Sequence, residues 1–256
     1  MVAAIQTKLS VNLNKVALLR NQRDGGYPSV LEAARLVVQA GAHGVTVHPR
    51  PDERHIRRTD VTELAALIRD EFAPAVEYNI EGYPTPEFVA LIREVRPDQV
   101  TLVPDAPDQR TSDHGWDLAR DGARLAPIIA ELRASGARVS LFLDPEPALV
   151  AGVSQAGADR IELYTGPYAH AFGGPGAKAL LERYVRTAEA AARAGLGINA
   201  GHDLNLDNLP TFVHAIPQLA EVSIGHAISA DALRIGFPAA VEAYLRALRR
   251  ISLRLE

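Results

Sequence analysis

Two rhythms of apolar and polar residues alternate along the chain. Short β-rich runs recur at 9–14, 44–50, 75–80, 99–105, 138–144, 160–166, 197–201 and 221–227. Between them lie segments in which apolar residues return every three or four positions, as helices require. Examples are SVLEAARLVVQAG, TDVTELAALIRDEF, TPEFVALIREV, GARLAPIIAELRASG, PALVAGVSQAG and KALLERYVRTAEAAARAG. The segment SADALRIGFPAAVEAYLRALRR predicts one last helix. Several helical segments stop at glycine just before the next strand, as in QAGAHGV, ASGARV and RAGLGI, which is C-cap chemistry. Eight strands alternating with helices predict an α/β fold, a (β/α)8 barrel with extra helices. The alternative is an open doubly wound sheet. A dinucleotide-binding sheet would place G-x-G-x-x-G after its first strand, and SVNLNKVALLRN has no glycine there. No linker, low-complexity tract or shift in composition divides residues 1–256, so one domain is expected.

Parallel barrels work at the C-terminal ends of their strands. Here the predicted ends carry Asn12, Asn14 and Lys15; His48 and Arg50; Glu77 and Asn79; Asp105; Asp144; Glu162 and Tyr164; Asn199 and His202; and Gly225 and His226. Ionisable or amide groups on nearly every strand argue for one shared polar cavity. Most striking in density is HPRPDERHI (48–56), which follows the apolar run GVTV. His48, His202 and His226 belong to strands two, seven and eight, which a barrel brings together on one rim. His43 and His214 fall elsewhere and are read as ordinary hydrogen-bonded histidines. Glu77 sits among apolar neighbours in PAVEYNI, so it is either a general base or acid with a shifted pKa or one half of an internal ion pair with an arginine. Glu162 in RIELYTG raises the same question.

GINAGHDL and SIGHAISADAL each set glycine beside histidine just after a strand. Glycine lets a backbone N–H approach an anion, and the loops after strands seven and eight are the usual phosphate site of such barrels. Arg50 and His55 across the rim are candidates for a second anion, while Arg54, Arg57 and Arg58 read as solvated. Two polar segments, 105–117 and 168–177, are longer than normal turns, and Gly173, Gly174 and Gly176 in the second suit a mobile lid or a plain surface loop.

Composition narrows the chemistry further. The chain has 256 residues, is 47% hydrophobic and carries a net charge of −4. That charge gives no basic field for nucleic acid. There is no cysteine, which excludes disulfides, thiolate metal sites and a cysteine nucleophile. No basic leader followed by an apolar run and no membrane-length apolar run is seen, so a cytoplasmic protein is expected. His48, His202, His226 and Glu162 are conceivable zinc ligands, but no compact motif supports them, and metal-free acid–base chemistry ranks higher.

The motifs SVNLNKVALLRNQR, GVTVHPRPDERHIR, VEYNIEG, QVTLVPD with RTSDHG, RVSLFLD, RIELYTGPYA, INAGHDL and SIGHAI, in this order, resemble the pyridoxine 5′-phosphate synthase family. The resemblance runs from about Leu9 to the last helix. It implies a TIM barrel with extra helices, assembled as a homo-octamer built from dimers. It also implies a cytoplasmic enzyme of vitamin B6 synthesis that needs no cofactor. Such an enzyme condenses 1-deoxy-D-xylulose 5-phosphate with 3-amino-2-oxopropyl phosphate, releasing phosphate and water. Carried onto this chain, the resemblance makes His48 and Glu77 proton acceptors, His202 the proton donor and Glu162 a stabiliser of charge. Arg50, His55 and Thr111 would bind deoxyxylulose phosphate. Asn12, Arg23, Gly225 and His226 would hold the aminoketone phosphate. Two places depart from the family pattern. Asn14-Lys15 stands where many members have Asp-His, and Asp203 where glycine is common; Asp203 is expected to bind through its backbone N–H. Other readings are a sugar-phosphate epimerase or isomerase, which would turn over one substrate alone, and a non-catalytic sugar-phosphate-binding barrel.

Overall fold

The computed structural model describes residues 6–105, 109 and 112–249. Eight parallel strands close into a barrel in sequence order. They are β1 (Lys8–Asn12), β2 (Gly44–Val47), β3 (Glu77–Gly82), β4 (Gln99–Leu102), β5 (Arg138–Leu143), β6 (Arg160–Leu163), β7 (Gly197–Ala200) and β8 (Leu219–Ile224). β8 closes on β1, with Val11 beside Ile224. Around the barrel run α1 (Asn14–Arg20), α2 (Val30–Gln39), α3 (Arg58–Leu67), α4 (Pro86–Val95), α5 (Leu118–Ala134) and α6 (Val150–Ala156). They are followed by α7 (Gly166–Ala171), α8 (Ala177–Arg193), α9 (Leu209–Ala215), α10 (His226–Ile235) and α11 (Phe237–Ala247).

Local chemistry sets the helix starts. The Ser29 hydroxyl accepts from the Glu32 N–H, and the Thr85 hydroxyl from the Phe88 N–H ahead of Pro86. Asp117 does the same for α5. Each cap satisfies a donor that the first turn leaves unpaired and is worth about 1 kcal/mol. Alternate strand residues point outward and form the core with the helices. Val45, Leu102, Leu141 and Ile161 meet Leu64, Ile92 and Leu125 in one buried apolar cluster. Burying each such side chain contributes about 1.5–3 kcal/mol.

The other residues of each strand point into the barrel, and there the fold departs from the usual branched aliphatic filling. Ser10, Thr46, Asn79, Thr101, Glu162 and Glu221 are all buried. They hydrogen-bond to one another or to neighbours across the lumen, as Thr101 does to Asn79 at 3.3 Å. The alternation in LSVN, GVTV, VEYNIE, QVTL and RIEL is therefore an apolar outer face with a polar lumen.

Three expectations shift. The third strand starts two residues later than the apolar run suggests, at Glu77, and continues to Gly82. Residues 73–75 are taken by the turn that ends the helical segment, in which Ala73 donates to Ile68 O and Ala75 to Phe72 O. The single last helix is two, because Gly236 (φ 79°) and Pro238 break it into α10 and α11. The glycine-rich stretch at 168–177 begins as α7, anchored by Tyr168, which is buried against Phe172, Tyr184 and Phe212.

Candidate active site

A cavity of about 540 Å³ opens at the C-terminal ends of the strands. Asn12, Asn14, Lys15, His48, Arg50, His55, Glu162, His202, Asp203, Gly225 and His226 all line it, as the rim reading expects. Lining it too are Arg54, Glu81, Ser112, Phe142 and Ser223, which the sequence reading did not place there.

Glu77 is the main correction. It is the first residue of β3 and so lies at the opposite end of the barrel from the cavity. It pairs with Lys8 at 2.6 Å and Arg138 at 2.5 Å. Burial acts to raise its pKa, but the Lys8 hydrogen bond and the Arg138 and Lys8 charges outweigh it and hold the carboxyl below its usual value. The internal ion pair, not the catalytic base, is what the structure contains. Four residues on, an even step along the strand, Glu81 reaches the cavity from the same strand face. Its Oε2 accepts from Asn12 Nδ2 at 3.3 Å and lies 3.9 Å from His48 Nδ1. Burial first, then the Glu162, Asp105 and Glu221 charges, push the Glu81 carboxyl well above its ordinary range. His48 moves the other way, well below its ordinary value, through burial and then the Arg50 and His55 charges. A carboxyl that burial biases towards its acid form thus stands beside an imidazole biased towards its neutral form, the kind of pairing that acid–base catalysis uses.

Asn14 positions His48. Its Oδ1 accepts the His48 N–H at 2.9 Å, fixing the end of β2. An aspartate could accept the same bond, so the amide keeps the geometry without the charge. The loop behind His48 is tied down by α1. Buried Arg20 donates to Asp60 at 2.5 and 2.9 Å and to His55 O at 3.0 Å, and Asn21 Nδ2 donates to His55 O at 2.8 Å. His55 Nδ1 accepts the Ile56 N–H at 2.9 Å, which leaves the ring proton on Nε2. Burial, then Arg50 and Lys15, drive the His55 pKa down to about 4. His55 is therefore a neutral donor.

Arg50 is buried in an ion pair with Asp105 and donates to Gln109 O at 3.0 Å, and Ser112 also donates to Asp105 at 2.8 Å. Arg54, expected in solvent, instead lines the cavity and donates to Gln109 O at 3.0 Å. Lys15 is exposed at the mouth. Arg23 is exposed on the connection after α1 and does not line the cavity. Thr111 lies outside the described residues.

On the far wall His202 follows β7. Its ring packs edge-on against Tyr164 at 5.3 Å, and its carbonyl accepts from the Thr165 hydroxyl at 2.5 Å. Asp203 adopts φ 63°, a left-handed backbone that favours glycine and that aspartate tolerates better than most residues. Its Oδ2 lies 3.1 Å from His202 Nδ1. The His202 hydrogen bond, with the His202, His226 and Lys15 charges, holds the Asp203 carboxyl below its ordinary value against burial. Lys15 and Asp203, the two departures from the family pattern, thus share one mouth of the cavity. Gly225 precedes α10, and a Cβ there would approach Asn12 to 3.1 Å. At Gly201 a Cβ would fall 1.9 Å from Ser223 O, so only glycine lets β7 and β8 close beside His202.

Among the described residues no three His, Cys, Asp or Glu side chains converge as metal ligands would, and no helix is long and apolar enough to cross a membrane.

Among solved structures, tryptophan synthase from M. tuberculosis aligns with a TM-score of 0.63 at 13% identity, covering 96% of this chain and 94% of that one. Phosphoribosyl anthranilate isomerase from Thermococcus kodakaraensis gives 0.60 at 15% identity, covering 95% and 99%. These likenesses establish the barrel fold. Sequence relatives are much nearer. A pyridoxine 5′-phosphate synthase from Mesorhizobium japonicum is 57% identical over 242 residues, covering 94% of this chain and 98% of the relative. Enzymes of the same name from Albidiferax ferrireducens and Brucella abortus are 55% and 54% identical over 94% of this chain and 97% and 98% of theirs. The family model described as pyridoxal phosphate biosynthesis protein PdxJ matches residues 9–250. With that match added to a barrel whose mouth gathers His48, Glu81 and His202, the chain belongs to the PdxJ family.

Proposed function

We propose that the protein is a pyridoxine 5′-phosphate synthase that joins 1-deoxy-D-xylulose 5-phosphate to 3-amino-2-oxopropyl phosphate, with release of phosphate and water. The observation that carries this reading is His48 Nδ1 standing 3.9 Å from the buried Glu81 carboxyl, with His202 on the same cavity and Lys15, Arg54 and His226 around its mouth. Imine formation, phosphate elimination and ring closure with loss of water are successive proton transfers. His48 takes protons, Glu81 exchanges them with it in the place first given to Glu77, and His202 returns them to leaving groups. Glu162 faces developing charge from the lumen. Gly225, His226 and Asn12 hold the aminoketone phosphate at the start of α10. Arg50, His55 and Thr111 hold the deoxyxylulose phosphate, Arg50 by exchanging Asp105 for the phosphate. The reaction needs neither a redox cofactor nor a metal.

In this reading residues 1–256 act as one barrel in the cytoplasm and assemble as a homo-octamer built from dimers. Supporting assembly, Leu19 of α1, Tyr27 on the connection to α2 and Leu233 of α10 line one exposed surface, with Tyr27 82% and Leu233 81% accessible. Contiguous apolar exposure of this kind marks a protein–protein contact.

The test is His202→Ala. Both substrates should bind within a few-fold of wild type while product formation falls by about two orders of magnitude or more. Undiminished turnover would remove His202 from the chemistry. A chelator should leave the rate unchanged; loss of activity restored by added metal would reverse that part of the reading.

A further inference from the structure

The lumen below the cavity holds a carboxylate that the reaction, as read above, does not use: Glu221, which stands near Glu162. Glu162 on β6, Asn199 on β7 and Glu221 on β8 stand in one pairing row across three strands. The two carboxyls therefore flank Asn199 on the same face of the sheet.

Their hydrogen bonds differ in kind. A directed chain begins at a guanidinium and ends on Glu221. Arg160 donates to Asn199 Oδ1 at 3.0 Å, Asn199 Nδ2 to Gln99 Oε1 at 3.3 Å, and Gln99 Nε2 to Glu221 Oε1 at 3.1 Å. Every link donates towards Glu221, and Arg160 itself lies 3.9 Å from Glu221 Oε2. That is how an ionised carboxylate is held. Among the described residues Glu162 is met by the Thr101 Oγ1, at 3.4 Å, and that hydroxyl also faces Asn79 Oδ1 at 3.3 Å. Asn79 Nδ2 points the other way, to Thr46 at 3.4 Å, so its oxygen must accept from Thr101. One hydroxyl proton cannot serve two acceptors. A proton on Glu162, donated to Thr101, satisfies both contacts.

We propose that Glu221 is a positioning residue, an ionised carboxylate in the barrel lumen that keeps a proton on Glu162 at the base of the active cavity. The proposal rests on the reading of Glu162 as part of the active site. On the cavity side Glu162 shares its lining with His48, Arg50, Glu81 and His202. Glu81 on β3 and Glu221 on β8 are acidic, and Arg160 on its own strand is basic but turned to Asn199 and Glu221. The neighbouring strands β1, β2, β4, β5 and β7 present Ser10, Thr46, Thr101, Ser140 and Asn199. At the far end Glu77 and Arg138 act on Glu221, and Lys8 pairs with Glu77. Burial leaves both carboxyls raised; at Glu221 the Arg160 charge opposes it, the Glu77 charge adds to it, and the Gln99 hydrogen bond opposes it again. Glu162, raised by burial and then by the Glu221 charge, is pushed up to about 8.

The experiment compares wild type, Glu221→Gln and Glu162→Gln. Removing the Glu221 charge should move the alkaline limb of the kcat profile about one pH unit towards acid, since like charges this close shift titrations by that order. KM for both substrates should stay within about twofold. A limb that does not move in folded Glu221→Gln would overturn the proposal. Infrared difference spectra of wild type against Glu162→Gln at pH 7 locate the proton even if Glu221→Gln fails to fold. Loss of a protonated-carboxyl band is expected; loss only of an ionised-carboxylate band would overturn the proposal. Full turnover in Glu162→Gln would instead defeat the active-site reading of Glu162, and the infrared result would still decide where the proton sits.

Discussion

Exchanging the two glutamates of β3 for glutamine separates structure from chemistry at opposite ends of one strand. Glu77→Gln removes a carboxylate paired with Lys8 and Arg138, whose side chains are 46% and 35% exposed. Pairs of that exposure are each worth a few tenths to about 1 kcal/mol after screening. The loss should total about 0.5–2 kcal/mol, and a chain of this size loses roughly 1–8 °C in Tm for it. The cavity is untouched, so kcat should stay within about twofold. Glu81→Gln reverses the pattern. A neutral amide replaces a carboxyl whose ionised form burial disfavours, so Tm should hold or rise. Turnover should fall by about 100-fold or more, the usual worth of a positioned acid or base. The assay is product formation with both substrates at saturation, beside thermal unfolding of each variant. An inactive Glu77→Gln of wild-type Tm, or a fully active Glu81→Gln, would refute the assignment of roles along β3.

Three further outcomes are expected. His55 titrates at about 4 in the fold and 6.5 when free, so the unfolded chain binds the extra proton between those values. Stability is therefore complete above pH 6.5 and falls by about 3 kcal/mol as pH drops through that window to 4, and His55→Gln should flatten this part of the denaturation profile. Asp203→Gly relieves a left-handed backbone and removes an anion from the phosphate mouth; KM for a phosphorylated substrate should fall several-fold, most at low ionic strength, while kcat drops because His202 loses its carboxylate neighbour. Leu233→Asp places a charge in the exposed apolar face of α10 and should shift the mass seen by sedimentation to a smaller species without unfolding the barrel.

Much of this was legible in the chain. The eight apolar runs and the helical periods between them gave the barrel, and glycine-terminated helices marked where several strands begin, as at Gly157 before β6. The polar strand ends gave His48, His202, Gly225 and His226, because backbone direction alone decides which end of a parallel strand reaches the rim. Glu77 failed for the same reason. The run AVEYNI looks like a strand from Ala75, but Pro74 and the turn at 73–75 delay pairing to Glu77, and a shift of two residues moves a glutamate from one end of the barrel to the other. Glu81 was hidden by its position beside Gly82, which reads as the start of a loop. The lumen was visible only as alternation; Ser10, Thr46, Thr101 and Glu221 look like half-solvated strand residues until closure buries them. Arg54 looked like one of a solvated cluster because no local pattern reveals that Gln109 comes back to meet it. Arg23 and Thr111 came from resemblance alone, and no geometry in the described residues places either at the cavity.

The most direct measurement supplies the purified protein with 1-deoxy-D-xylulose 5-phosphate and 3-amino-2-oxopropyl phosphate and follows the absorbance of pyridoxine 5′-phosphate together with released phosphate. The two should appear in a one-to-one ratio, only when both substrates are present, and without added metal. No product with both present, or turnover of either substrate alone, would contradict it.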